Sequence, residues 1–165
     1  MNITPYAAVD NLSFTDNYKE VKVKLEHDYE ENTTEIMDIT YPVLYVEALD
    51  MVIQFSEDAS SIRFFEFFQP KMELLCGDIR LSGNYVEVLR QVREFDSDLE
   101  QDNDGFVSAK LGVTVNRQLE GGLYSSKVEA LIVFSKDYFD EPEADEDDFL
   151  KFYLGYNPFD GEGKE

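Results

Sequence analysis

The residues able to carry chemistry are few in kind. One histidine, His27, and one cysteine, Cys76, stand against 36 aspartates and glutamates. Any histidine-activated nucleophile would have to use His27, which sits in a polar, acidic stretch with no motif around it. Cys76 follows Leu74 and Leu75 in an apolar run and reads as buried filler rather than as a nucleophile. A lone cysteine also excludes an intrachain disulfide. No glycine-rich phosphate loop and no His-Glu-x-x-His helix occurs. Glu100, Asp102, Asp104 and Gly105 have the opening spacing of a calcium loop, but the loop's twelfth position falls on Leu111, where a bidentate glutamate is required. A solvated loop is therefore expected, with no metal, no organic cofactor and no catalytic residue. Paired carboxylates for glycoside hydrolysis carry little information in so acidic a chain.

Glu47, Glu66 and Glu129 differ from the other acids because each interrupts an apolar run. If these runs alternate as strands, the three acids face solvent on the open side of a sheet. Tyr45, Phe55, Phe65 and Phe67 lie near them in sequence. Acids mixed with aromatics on a sheet face can make a binding surface, although an ordinary outward strand face is the commoner explanation. With Asp102 and Asp104 from the acidic loop, the candidate partner contacts are Tyr45, Glu47, Phe65, Glu66, Asp102, Asp104 and Glu129. Tyr45 and Phe65 are the expected aromatic anchors.

The elements that must position these residues follow a stretch that occurs twice. Asn17-Tyr18-Lys19-Glu20-Val21 is echoed by Asn84-Tyr85-Val86-Glu87-Val88. In both, an Asn stands three residues before a Glu, the spacing of a helix N-cap and its reciprocal acceptor. Tyr85, Val88, Leu89 and Val92 then fall on one helical face, as do Tyr18, Val21 and Leu25. The spacing predicts helices over 18–26 and 84–95. Polar loops are expected after each, over 27–34 and 96–105. An edge strand over 36–40, ended by Pro42, is followed by strands over 43–48, 51–55 and 62–68. In the second half 106–109, 112–115 and 128–134 match these three, with Tyr45 set against Phe106 and Ile62–Phe68 against Val128–Phe134. Short strands at 72–76 and 79–81 flank a Gly77-Asp78 turn.

This predicts an α+β fold: a duplicated helix-plus-antiparallel-meander unit, α-β-β-β twice. The chain is read as a single domain of two pseudo-repeats, about 8–70 and 71–136. An acidic C-terminal helical appendix follows over 137–165. There Phe149, Phe152, Tyr153 and Tyr156 fall at helical spacing.

Charge sets the class of partner. The 36 acidic and 14 basic residues give a formal net charge of −22. That opposes binding to nucleic acid or to an anionic membrane and would steer a basic protein partner. Solubility alone is an alternative use of the same charge. The opening Met1-Asn2-Ile3-Thr4-Pro5 has no basic n-region or apolar h-region, and no apolar run approaches membrane-spanning length. A reduced, cytoplasmic setting is expected.

The opening Leu12-Ser13-Phe14-Thr15-Asp16-Asn17-Tyr18-Lys19-Glu20-Val21, followed by a meander and a second similar unit, resembles small cytosolic immunity proteins of bacterial polymorphic-toxin and contact-dependent growth inhibition loci. Thr15 stands where related openings have Gly. The repeated unit is also similar, as a fold, to that of beta-lactamase inhibitory proteins. The resemblance implies a non-enzymatic protein that neutralises a toxin domain by binding it. Many such toxins are nucleases, which must be basic to hold their substrate. Two other readings stay open: a cytosolic scaffold or homodimer joined through an aromatic sheet face, and a carboxylate-based enzyme.

Overall fold

The computed structural model describes residues 1–139. The chain opens with a three-stranded meander of two-residue strands, β1 (Ile3–Thr4), β2 (Ala8–Val9) and β3 (Leu12–Ser13), before helix α1 (Tyr18–Lys24). Four strands follow: β4 (Glu30–Ile36), β5 (Ile39–Val46), β6 (Met51–Phe55) and β7 (Ile62–Phe68). A short hairpin, β8 (Leu75–Cys76) and β9 (Ile79–Arg80), leads into α2 (Tyr85–Phe95). Then come β10 (Glu100–Gln101), β11 (Gly105–Ser108), β12 (Val113–Asn116), a separate hairpin of β13 (Leu119–Glu120) with β14 (Leu123–Tyr124), and β15 (Ala130–Phe134). The fold is α+β.

Both helices begin where the repeated stretch predicts. The Asn17 side chain accepts from the Lys19 and Glu20 amides, and the Glu20 carboxylate accepts from the Asn17 amide at 2.9 Å, a closed capping box. Asn84 accepts from the Glu87 amide at 3.1 Å. Tyr85 is buried beneath its helix, whereas Tyr18 is half-buried and donates to Glu31.

One antiparallel sheet of eight strands runs in the order β10-β11-β12-β15-β7-β6-β5-β4. It contains four strands from each half, joined through β7 and β15. Two of these correct the expected loops. Glu30–Ile36 is a strand seven residues long, and Glu100–Gln101 is a short one, so each helix is followed by four sheet strands rather than three. Pro42 does not end a strand either, since β5 runs through it. Met37 and Asp38, with φ of 52° and 67°, form the two-residue turn between β4 and β5, the geometry of a type I′ hairpin. Glu47 lies in a 3₁₀ turn (Glu47–Leu49), not on a strand.

The first face of the sheet packs under α1, α2 and the short hairpins. Leu44, Ile53, Phe65, Phe67, Leu131, Val133 and Val115 meet Phe14, Val21, Tyr85, Val88 and Val92 in one core. Phe14 packs edge-on against Phe65 with ring centroids 5.3 Å apart. Cys76 and Leu111 are buried in the same core. At one end of the second face Phe64, Ile132 and Phe134 cluster with Tyr138 and Tyr6. The Tyr6 hydroxyl donates to the Ala109 carbonyl, and its ring lies where a Cβ on Gly112 (φ +64°) would come within 2.9 Å. No helix of the described residues is long and apolar enough to cross a membrane. The expected helix bearing Phe149, Phe152, Tyr153 and Tyr156 lies outside the described residues.

Candidate functional site

The candidate site lies on the second face of the sheet. Registers carry one row of residues across all eight strands: Glu30, Tyr45, Val52, Glu66, Ile132, Thr114, Val107 and Glu100. Glu66 is the middle carboxylate, on central strand β7, flanked in register by Val52 and Ile132. It makes no hydrogen bond or ion pair among the described residues. Burial pushes its carboxyl up to about 7, because apolar neighbours disfavour the charged form.

Next to Glu66 the second face opens into a concavity of about 560 Å³. Asp50, Glu66, Asp104 and Glu129 supply its carboxylates, and Phe68 and Leu119 supply exposed apolar wall. Arg117 also lines it, but its guanidinium lies 4.3 Å from the Tyr124 ring centroid and 4.8 Å from that of Tyr85, and its Nε donates to the Asn103 carbonyl. Lys71 reaches Asp50 at 3.3 Å from an exposed position on the rim. Ser125 donates to Glu129 at 2.8 Å.

Loop chemistry places each of these groups. Asp50 ends the 3₁₀ turn in a left-handed conformation (φ 45°), and its carboxylate accepts from the Tyr45 hydroxyl at 3.3 Å. Desolvation, followed by the Asp50 charge and hydrogen bond, raises the Tyr45 hydroxyl. Asp104 is held by the β10–β11 turn, whose shape Asp102 fixes by accepting from the Asp104 and Gly105 amides at 2.8 and 2.9 Å. Gly105 must be glycine, since a Cβ there would sit 2.3 Å from the Val115 carbonyl oxygen.

Of the seven expected contacts, the fold brings Glu66, Asp104 and Glu129 to one concavity and Tyr45 to its rim through Asp50. Asp102 is exposed but spends its carboxylate on the turn. Glu47 is exposed on the 3₁₀ turn. Phe65 is fully buried on the first face and cannot anchor a partner, because a strand neighbour of an outward Glu66 must point inward. Reading the sequence did not single out Asp50, Phe68, Arg117 or Leu119; only the sheet order β12-β15-β7-β6 collects them. Leu111, the twelfth position counted from Glu100, is a core residue, and no group of three or more histidines, cysteines or carboxylates placed to hold a metal ion occurs among the described residues. His27 is exposed, and burial pushes the Cys76 thiol up, away from nucleophilic character.

No protein-family model matches the sequence, and no curated protein matches it. Among solved structures, the chain is similar to the crystal structure of the uncharacterized protein yfeY from Escherichia coli, with a TM-score of 0.53 over 81% of this chain and 99% of that one. At 10% identity that likeness shows a shared fold and nothing about activity.

Proposed function

We propose that this chain is an acidic binding protein, not an enzyme, that neutralises a basic toxin domain by forming a complex on the second face of its sheet. The reading makes it a cytoplasmic immunity protein of a bacterial polymorphic-toxin or contact-dependent inhibition system. The observation that carries it is the meeting of Asp50, Glu66, Asp104 and Glu129 around one concavity with exposed apolar walls. A carboxylate left half-buried on a central strand without a cation is costly, and a lysine or arginine from a partner would offset that cost. The surrounding charge of −22 would speed encounter with a basic surface such as a nuclease presents.

The same reading includes an internal duplication. Setting Ile62–Phe68 against Val128–Phe134 places Glu66 against Ile132, and those two residues are directly opposed where the halves join. The order of strands is mirrored on either side of that pair. Further out, the register equates Tyr45 with Val107 and Val52 with Thr114, one residue on from the expected match. Phe106 faces the core, whereas Tyr45 lies on the second face.

The test is co-expression with the toxin domain encoded beside this chain, using wild type and the Glu66→Lys and Asp104→Lys variants. Protection by wild type with loss in both variants is expected. Failure of wild type to bind or protect overturns the function. Equal protection by all three overturns the site.

A further inference from the structure

We propose that the outer edge of β4 is a strand-addition site for an extended segment carrying lysine or arginine at alternate positions. The proposal takes only the basic character of the partner from the function proposed above, and uses a different part of the molecule.

The two edges of the sheet are built differently. One ends in β10, two residues long. The other ends in β4, seven residues long, with no proline and an unbroken register against β5 from Glu30 to Ile36. Sheets ordinarily shorten, bulge or cover an edge because its free amides and carbonyls are a template for another strand.

Which backbone groups are free follows from the turn. In a two-residue hairpin the residues flanking the turn exchange both hydrogen bonds, and pairs then alternate along the ladder. Ile36 and Ile39 are therefore bonded, as are Thr34 with Tyr41, Asn32 with Val43 and Glu30 with Tyr45. The amides and carbonyls of Glu31, Thr33 and Glu35 point outward. Two observations agree with this phase. Pro42, which has no amide to give, falls opposite Thr33 in an unbonded pair, and pairing of β5 with β6 stops at Val43. The Thr33 amide donates to the neighbouring Asn32 side chain at 3.2 Å, as an amide outside the ladder can.

Side-chain charge selects the occupant. Glu31 and Glu35 flank Thr33 on one side of the edge, and Glu30 stands on the other. A second copy of this strand would set carboxylate against carboxylate, which is unfavourable between directly opposed residues. Lysine or arginine at alternate positions of an incoming strand meets Glu35, which makes no ion pair among the described residues, and Glu31, which would share its carboxylate with Lys22 at 2.6 Å and Tyr18 at 2.8 Å. Backbone bonds give such a complex its affinity and the alternate side chains its choice of partner.

The probe is a capped seven-residue peptide alternating lysine and valine, titrated into the full chain while amide exchange is followed by NMR. Exchange is expected to slow at Glu31, Thr33 and Glu35 and to change little at Asn32 and Thr34, which are already bonded. Thr33→Pro removes one outward donor and leaves the β4–β5 ladder whole, so it should weaken the peptide at least tenfold. If that variant does not keep the wild-type circular dichroism, the wild-type chain with a peptide N-methylated on the amides facing β4 gives the same comparison. A peptide with glutamate in place of lysine should not bind. No peptide binding, protection elsewhere than these three amides, or binding undiminished by backbone methylation would overturn the proposal. Toxin neutralisation lost in Glu66→Lys while the peptide still binds would keep the two sites distinct.

Discussion

Glu66 is the residue whose ionisation the fold holds furthest from its ordinary range in a direction that matters near neutrality. Its folded carboxyl is raised to about 7, so between about pH 4.5 and 7 the folded state holds a proton that the unfolded chain has lost. Stability contributed by this group is therefore present at low pH, falls as pH rises through that window, and is flat above it. Glu66→Gln should remove the slope and stabilise the protein at pH 8 by about 1–3 kcal/mol. Urea unfolding of both proteins at pH 5 and pH 8 measures it, and an unchanged difference between the two pH values would show that Glu66 is not desolvated.

Asp96 behaves oppositely. Burial would raise its carboxyl, but the Ser108 hydroxyl at 2.6 Å, the Lys110 and Asp98 amides and the Lys110 ammonium together hold it below the usual range. Its contribution is present above the unfolded carboxylate range and is lost on acidification. Asp96→Ala strands the buried Ser108 hydroxyl and should cost about 2–3 kcal/mol at pH 7. The part of that difference due to the carboxylate's charge should shrink as the same urea unfolding is repeated at pH values below the ordinary carboxylate range.

At the scale of elements, the helices were legible because their signals are local. Asn17 and Asn84 mark both starts, and alanine at either should cost about 1 kcal/mol in urea unfolding. The Asn17 change should cost the more, since it breaks a closed box. The hairpins announced by Gly77-Asp78 and by Ser56–Ser60 were equally local. What escaped was set by tertiary pairing. Glu-Glu-Asn-Thr-Thr-Glu-Ile has no apolar alternation, because both sides of an edge strand can meet water, so it read as a loop until β5 was placed beside it. The faces of β7 escaped for another reason. Arg63 is an extra residue where the β6–β7 register shifts, so inward positions run Ile62, Phe65, Phe67 instead of alternating strictly. The acids of the site were partly visible as interruptions in apolar strands, but Asp50, a turn residue, has no such signature. Gly112 was also unmarked in the sequence. Gly112→Ala combines a positive φ with a clash against the Tyr6 ring and should destabilise by about 1–3 kcal/mol, read as a lowered thermal midpoint.

For the whole molecule, the proposed complex raises the question of how a charge of −22 would divide between drawing a partner in and holding it. Acids far from the contact act only through the long-range field, which salt screens over about 8 Å at physiological ionic strength. Glu57 and Asp78, exposed in the β6–β7 and β8–β9 turns, lie outside the lining of the concavity. Reversing both to lysine should slow association with a basic toxin domain, with little change in dissociation, and the loss should shrink as salt is added. Glu66 stands inside the proposed contact, where water is excluded and screening is weak. Glu66→Lys should speed dissociation instead, costing about 2–5 kcal/mol where the partner's cation is left buried and unpaired, at low and high salt alike. Association and dissociation rates for the three proteins, measured at two ionic strengths, separate the roles. If reversing Glu57 and Asp78 accelerates dissociation as much as Glu66→Lys does, the partner sits on another surface. If neither reversal alters either rate, the charge serves solubility alone.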